Sequence, residues 1–334
     1  MGGGIRKSFF AEARACLAPM AGYSDAPLRL LCAEYGADFA FTGLVSADGL
    51  SRGMKKSAAL LDRLEGESPL GVQLFGSNPE AIARAAAVAG GSGASFVDLN
   101  FGCPVKKVVT KNGGAAIMRD LALMERIARA AVADAGVPVT AKIRSGWSAG
   151  ERNYLEAGRL LEECGIAAIT LHPRPRSQGF SGPAHWEDIA RLRESLAVPV
   201  IANGDVASAE DYREIVRVTG CAIVMVGRGA IGNPFIFREI REAAAGGEPR
   251  RASGGERLDA LERHVKLQVA HFGEPVGIRE MRKFHRAYLK SFEGVKKHRG
   301  ELNGAETLAE VLEIIAGIRE ELEENGRVAP QEAP

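Results

Sequence analysis

The sequence predicts an α/β fold: a closed (β/α)8 TIM barrel followed by a small all-α domain. Three observations carry this. Eight short apolar runs, ending in Gly, Pro or Asn, alternate with longer amphipathic segments that suit helical crossovers. No GxGxxG motif follows an early strand, which counts against a doubly wound open sheet. Beyond about residue 250, strand patterns give way to helical periodicity alone. The 334 residues leave room for both parts, since such a barrel takes about 250.

In chain order, Ala15-Cys16-Leu17-Ala18 leads into Pro19-Met20-Ala21-Gly22, and Asp25 suits the N-cap of a helix over 26–35. Asp38–Leu44 is the second strand, and Leu70–Phe75 the third, followed by an Ala-rich helix to about 89. Phe96–Asn100 is the fourth, with a helix near 121–135. Val137–Arg144, Ala167–His172, Val198–Asn203 and Ala222–Val226 complete the set, with helices near 153–164, 186–195 and 208–219 between them. The barrel domain is expected over 1–245, a Gly-rich linker over 246–255 and a helical domain over 256–326. Its helices should lie near 256–272, 277–292 and 305–323, and the tail 327–334 should be disordered.

Composition narrows the class. The chain is 46% hydrophobic and 25% charged with net charge +1, as a globular protein with ample core would be. Any attraction for a polyanion must therefore be local. The five cysteines, odd in number and without a CxxC pair, argue against a disulfide framework and a zinc site. No apolar run reaches the ~18 residues of a membrane span. A cytoplasmic protein without a metal is expected, acting as a monomer.

The chemistry should sit where the strands end, at the C-terminal face. Those ends carry Gln73, Asn100, Cys103, Lys142, Arg144, His172, Asn203-Gly204-Asp205 and Gly227-Arg228-Gly229. One strand end alone reads as a helix cap or a hydrated loop. Convergence on one rim does not. Gly204 and Gly227 free backbone N–H groups beside the last two strands, Arg228 adds a cation, and the helix expected after Asn233-Pro234 closes a phosphate site. Lys142 suits a planar cofactor that becomes anionic on reduction, and Gln73 can read an amide-like ring edge. A phosphate, a planar redox ring and a thiol together suggest FMN.

Phe96–Arg119, FVDLNFGCPVKKVVTKNGGAAIMR, is the organising stretch. A cysteine alone usually reads as a small buried hydrophobe. Here Cys103 stands just past a strand end, between Gly102 and Pro104, placed to meet a ligand. The following loop is basic (Lys106, Lys107, Lys111), and Gly113-Gly114 suits a hinge for a lid.

Ala18-Pro19-Met20-Ala21-Gly22, Leu99-Asn100-Phe101-Gly102-Cys103-Pro104, Lys111-Asn112-Gly113-Gly114, Ala141-Lys142-Ile143-Arg144, His172 through Gly182, Ala202-Asn203-Gly204-Asp205 and Val226-Gly227-Arg228-Gly229 together resemble the tRNA-dihydrouridine synthase family. The resemblance covers nearly the whole chain. It implies FMN held by Pro19, Met20, Ala21, Gln73, Lys142, His172, Asn203, Gly204, Asp205, Gly227 and Arg228, with NADPH as reductant. It implies Cys103 as the acid, and Asn100, Lys142 and Arg144 near the uracil. Arg174, Arg176 and Gln178 match the family's pattern after the sixth strand, and with Lys111 are expected to meet the substrate. Pro175 stands where Thr is common, and Phe180 where an aromatic hydroxyl is often found.

In the reaction so implied, hydride from reduced FMN to C6 of uracil leaves carbanion character at C5, which a thiol on the opposite face protonates. A uracil inside folded tRNA must be extruded first. In the helical part, Arg279, Arg282, Lys283, Arg286 and Lys290 fall on one stripe, with Met281, Phe284, Tyr288 and Phe292 opposite. From Arg279 to Arg299 there are eight Lys/Arg against two Glu, which suits a phosphate backbone better than a merely solvated face. Lys296, Lys297, His298 and Arg299 would extend that footprint. Two other readings remain open: a small-molecule FMN reductase of the dihydroorotate dehydrogenase kind, and a barrel that binds RNA without chemistry. The first has no use for the basic helix. An intact Cys103, Lys142 and phosphate loop argue against the second.

Overall fold

The computed structural model describes residues 10, 12–67, 69–290, 292 and 294–325; the expected disordered tail lies outside them. Eight parallel strands close the barrel: β1 Ala15–Leu17, β2 Phe39–Phe41, β3 Leu70–Phe75, β4 Phe96–Phe101, β5 Val139–Arg144, β6 Ile169–His172, β7 Val200–Asn203 and β8 Ile223–Val226. Each pairs with its successor, and β8 closes onto β1 through Ala15↔Val224 and Leu17↔Val226. The second strand is shorter than expected. Asp38 is drawn off to cap the entry to β1, accepting from the backbone N–H of Arg14 at 2.7 Å and of Ala15 at 2.9 Å.

The crossovers are α1 Ala26–Glu34, α2 Pro79–Gly91, α3 Leu121–Asp134, α4 Tyr154–Glu163, α5 Trp186–Glu194 and α6 Ala209–Thr219. Several begin on side-chain caps of the kind the sequence suggests. Asp25 accepts from Leu28 N, Asn78 from Glu80 N and Ala81 N, and Ser208 from Asp211 N. The β2–β3 crossover is made of short turns, with helices at Ala47–Ser51 and Lys55–Ala58. After β8 comes α7, Ile236–Ala244.

Strand alternation gives the barrel interior two halves. Toward the N-terminal ends, Phe10, Phe39, Phe41 and Phe96 pack edge to face with Cys16, Ala168, Ile201, Ile223 and Met225 around them. Gly71 is required here, because a Cβ on it would lie 2.2 Å from the Phe96 ring. Toward the C-terminal ends the inward positions turn polar: Gln73, Asp98, Asn100, Thr140, Lys142, Arg144, His172 and Asn203. The apolar plug supports the floor on which this polar layer stands.

Among the described residues four helices follow, one more than expected: α8 Gly254–Phe272, α9 Glu274–Tyr288, α10 Val295–Gly304 and α11 Leu308–Asn325. The unforeseen α10 contains the Lys296–Arg299 run, whose polarity hides the buried Leu302 within it and the buried Ala305 that follows it. Residues 246–255 are tethered. Arg213 donates to Gly247 O at 2.7 Å, and Ser253 and Glu256 form a capping box that starts α8 two residues early. The helices rest on α1 and the loop before it. Gln268 donates to Asp25 at 2.9 Å, Arg263 to Glu34 at 2.6 Å, and Tyr23 meets Phe284 edge to face at 5.5 Å. Among the described residues, no helix is long and apolar enough to cross a membrane.

Candidate active site

The end of β4 turns sharply, and Asn100 makes the turn. Its Oδ1 accepts from the backbone N–H of Gly102 at 3.2 Å and of Cys103 at 2.9 Å, while its Nδ2 donates to Gln73 Oε1 at 2.8 Å. Cys103 is thereby fixed at the barrel mouth. Cys16, Cys32, Cys164 and Cys221 are buried, and Cys103 alone of the five is partly open. Burial pushes its thiol up from 9.0, so it is protonated at neutral pH. Gly114 packs on this turn with φ 57°, and a Cβ there would come within 2.7 Å of Cys103 O.

Lys142 stands on β5 in register with Asn100 of β4. Its Nζ donates to Asn203 Oδ1 at 2.8 Å, reaching from β5 past β6 to β7, and Asn203 donates to Met225 O at 2.8 Å. Burial, and then the Arg144 guanidinium, push Lys142 down to about 8. Arg144 donates to Gly102 O and Gly179 O, both at 2.8 Å, binding the β4 and β6 loops together. Burial, helped by Lys142 and Arg144, holds His172 neutral, far below the usual imidazole value. Arginine only donates, so the 3.2 Å contact from Arg174 Nη1 makes His172 Nε2 the acceptor and leaves the ring proton on Nδ1.

The loops after β7 and β8 form an open cradle. Gly204 has φ 129°, which favours glycine, and the nearest atoms to a Cβ on Gly227 would be Ala18 Cβ at 3.7 Å and Met20 Sδ at 3.8 Å. Arg228 is 64% exposed and lies over the Phe180 ring at 5.2 Å, a ring that Arg144 also approaches at 5.3 Å. Asp205 points its carboxylate at Arg174 and at the Ala184 N–H, and lies 3.5 Å from Arg228. Ser24 ties the Pro19–Ala21 loop beneath, accepting from Met20 N at 3.0 Å and donating to Ala18 O at 2.7 Å. Glycine backbone, an exposed guanidinium and a mid-barrel ammonium form a donor set that suits a phosphorylated planar group.

Other expected residues stand differently. Arg174 is buried as an anchor of the β6 loop, and Gln178 donates to Ser181 O at 2.6 Å and Pro183 O at 3.2 Å within the same turn. Arg176 stacks over Trp147 at 4.8 Å, a partner the sequence reading did not single out. Lys111 is exposed, and the segment Lys106–Val109 is a helical turn, with Gly113 and Gly114 buried.

On α9, Arg279, Arg282 and Arg286 are exposed; the helix ends at Tyr288, short of the expected 292, so Lys290, also exposed, lies two residues beyond it. Lys283 is half-buried against the barrel, 2.6 Å from Glu280 and 3.9 Å from Asp25, with its Nζ over the Tyr23 ring. Lys297 and His298 turn toward α11, pairing with Glu321 at 3.0 and 3.1 Å. Also missed were Asp98, Thr140 and Thr42, which lie beneath Gln73 and look like ordinary strand residues in the sequence.

Fold and rim define a (β/α)8-barrel enzyme with a thiol, a fixed ammonium and an anion cradle at the C-terminal face. A sequence model described as "Dihydrouridine synthase (Dus)" matches residues 16–324. The chain belongs to the dihydrouridine synthase family. It is 40% identical over 293 residues to tRNA-dihydrouridine synthase B of Xanthomonas axonopodis pv. citri (strain 306), covering 87% of this chain and 88% of that one. To the protein of the same name from Shewanella oneidensis (strain ATCC 700550 / JCM 31522 / CIP 106686 / LMG 19005 / NCIMB 14063 / MR-1) it is 36% identical over 310 residues, covering 92% and 96%. Among solved structures, a 2-naphthoyl-CoA reductase complex matches with TM-score 0.52 at 12% identity, over 69% of this chain and 50% of that one. Histamine dehydrogenase from Rhizobium sp. 4-9 matches with TM-score 0.50 at 14% identity, over 76% and 48%. The chain thus spans about half of each of these two, and they show the barrel alone.

Proposed function

We propose that this protein reduces uridines in tRNA to 5,6-dihydrouridine, with FMN held at the barrel rim, NADPH as reductant and Cys103 as the acid. The observation that carries the reading is that one strand-end face holds both a protonated, partly open thiol at Cys103 and the Lys142 ammonium fixed on Asn203, in a chain of the dihydrouridine synthase family.

When bound, FMN supplies hydride to C6 of the uracil and is restored by NADPH. Gly204, Gly227 and Arg228 would take its phosphate, Pro19–Ala21 and His172 would line it, and Lys142 would offset negative charge on its ring; Gln73, expected to read the ring edge, is instead fully buried with its amide held between Asp98 and Asn100. Cys103 gives its proton to C5 of the uracil from Sγ. Asn100 keeps that thiol in place through the loop backbone, and Arg144 holds the β4 and β6 loops around the base. Arg176 and Lys111 face the nucleotides beside it.

The base must leave its stack to reach Cys103. The exposed cations Arg279, Arg282, Arg286 and Lys290 take tRNA phosphates, and they do so without sequence preference. The helical segment 256–326 is on this reading the RNA-binding part and 1–245 the catalytic part. Mapping dihydrouridine in tRNA from cells lacking the gene tests the proposal: at least one position should lose the modification, and an unchanged map would refute it.

A further inference from the structure

Asp98 lies in the middle of β4, two residues before Asn100, with its side chain inside the barrel and no exposure to solvent. Its Oδ1 accepts from Thr140 Oγ1 at 2.6 Å and its Oδ2 from Gln73 Nε2 at 2.7 Å. Gln73 Oε1 then accepts from Asn100 Nδ2 at 2.8 Å, and Asn100 Oδ1 accepts from the Cys103 N–H at 2.9 Å. The two ends of this chain differ in kind. A carboxylate only accepts and a backbone N–H only donates, while each amide between them carries one acceptor end and one donor end. One orientation of both amides satisfies every group, and it is the one found.

We propose that Asp98 is a positioning residue for the Cys103 loop, acting through the amides of Gln73 and Asn100. Asp98 holds the Gln73 amide nitrogen, so the Gln73 oxygen is presented to Asn100. Asn100 is left with its own oxygen facing the loop, where it gathers the N–H groups of Gly102 and Cys103. Thr42 steadies the middle of the chain, its Oγ1 accepting from Gln73 N at 3.0 Å and donating to Gly43 O at 2.9 Å. A charged carboxylate in a barrel interior is costly without such partners, and Lys142 is the nearby cation that balances it. The role of Cys103 as acid rests on the proposed function, whereas the anchoring of its loop does not.

The test reads the loop through the thiol. Cys103 is the partly open cysteine among four buried ones, so iodoacetamide labelling followed by intact mass reports its exposure. Asp98→Leu should speed labelling about tenfold or more, the shift expected when one buried hydrogen bond is lost. Asp98→Asn should stay within about twofold, because the amide can keep its oxygen on Gln73 and turn its nitrogen to Thr140. Gln73→Met breaks the middle of the chain and should match Asp98→Leu, which keeps the test available if that variant does not fold. Wild-type labelling rates in either apolar variant would overturn the proposal, as would Asp98→Asn labelling as fast as Asp98→Leu. Faster labelling in a protein that forms no dihydrouridine would uphold the positioning role while removing the proposed reaction.

Discussion

Lys142 Nζ stands 2.8 Å from Asn203 Oδ1, a bond that joins β5 to β7 through the barrel interior over 61 positions of sequence. It holds the ammonium at the centre of the rim. Burial first, and Arg144 second, bring this group to about 8. It therefore loses its charge at a lower pH than an ordinary lysine.

Flavin reduction by NADPH should accordingly slow as pH rises through about 8, since the cation that offsets the reduced ring is then lost. Lys142→Met should lower the rate about 10²–10³-fold at neutral pH and remove that limb. Stopped-flow absorbance over about pH 7 to about 9 checks both. A flat wild-type profile would be contrary evidence.

The cradle after β7 and β8 makes a prediction about cofactor content. Purified protein should be yellow and release FMN on denaturation. Arg228→Ala should weaken FMN retention about tenfold or more while leaving the thermal transition of the apo-protein unchanged, because that side chain is 64% exposed. Colourless protein that takes up no added FMN would remove the oxidoreductase reading.

The α9 stripe separates into two kinds of cation. Arg282 and Arg286 are exposed, so replacing both with Ala should weaken tRNA binding and lower the salt-dependence slope by about one to two units. Lys283→Ala should act on stability instead, through its contacts with Glu280, Asp25 and the Tyr23 ring. Titration of tRNA at several salt concentrations distinguishes them. An unaltered slope in the double variant would exclude this face from the RNA contact.

Asp98 predicts a pH dependence of stability. Burial raises its carboxyl from 3.8 to about 6, so the folded state holds that proton more tightly than the unfolded one. Below about pH 4 the buried acid is neutral in both states, and stability declines as pH rises from about 4 to about 6. The loss amounts to about 3 kcal/mol for a shift of that size. Measured against wild type by denaturant unfolding, Asp98→Asn should gain relative stability across that interval, and a constant difference would contradict the assignment.

The barrel was legible because each strand is an apolar run ended by a breaker, and because barrels expose such ends on one face. Cys103, Asn100 and Lys142 were legible for the same reason. Partnerships were not. Lys283 lies on the same helical stripe as Arg286, yet it turns to Asp25, a residue 258 positions away, which local periodicity cannot register. Arg174 looks like a substrate cation in the sequence and is an internal anchor of Asp205 in the fold. Asp98 reads as one polar residue in a strand until Gln73 and Thr140 are brought against it. Helix α10 was hidden because its cations mask its buried positions.

The reaction itself is the most direct test. Bulk tRNA from cells lacking the gene should be incubated with the purified protein, FMN and NADPH, and its dihydrouridine measured by nucleoside mass spectrometry. The wild-type protein should form dihydrouridine, and Cys103→Ala should form it about 10²–10⁴-fold more slowly with flavin reduction intact, the usual worth of a positioned acid. No dihydrouridine from the wild-type protein, with reduction of a free dihydroorotate-like pyrimidine in its place, would contradict the account.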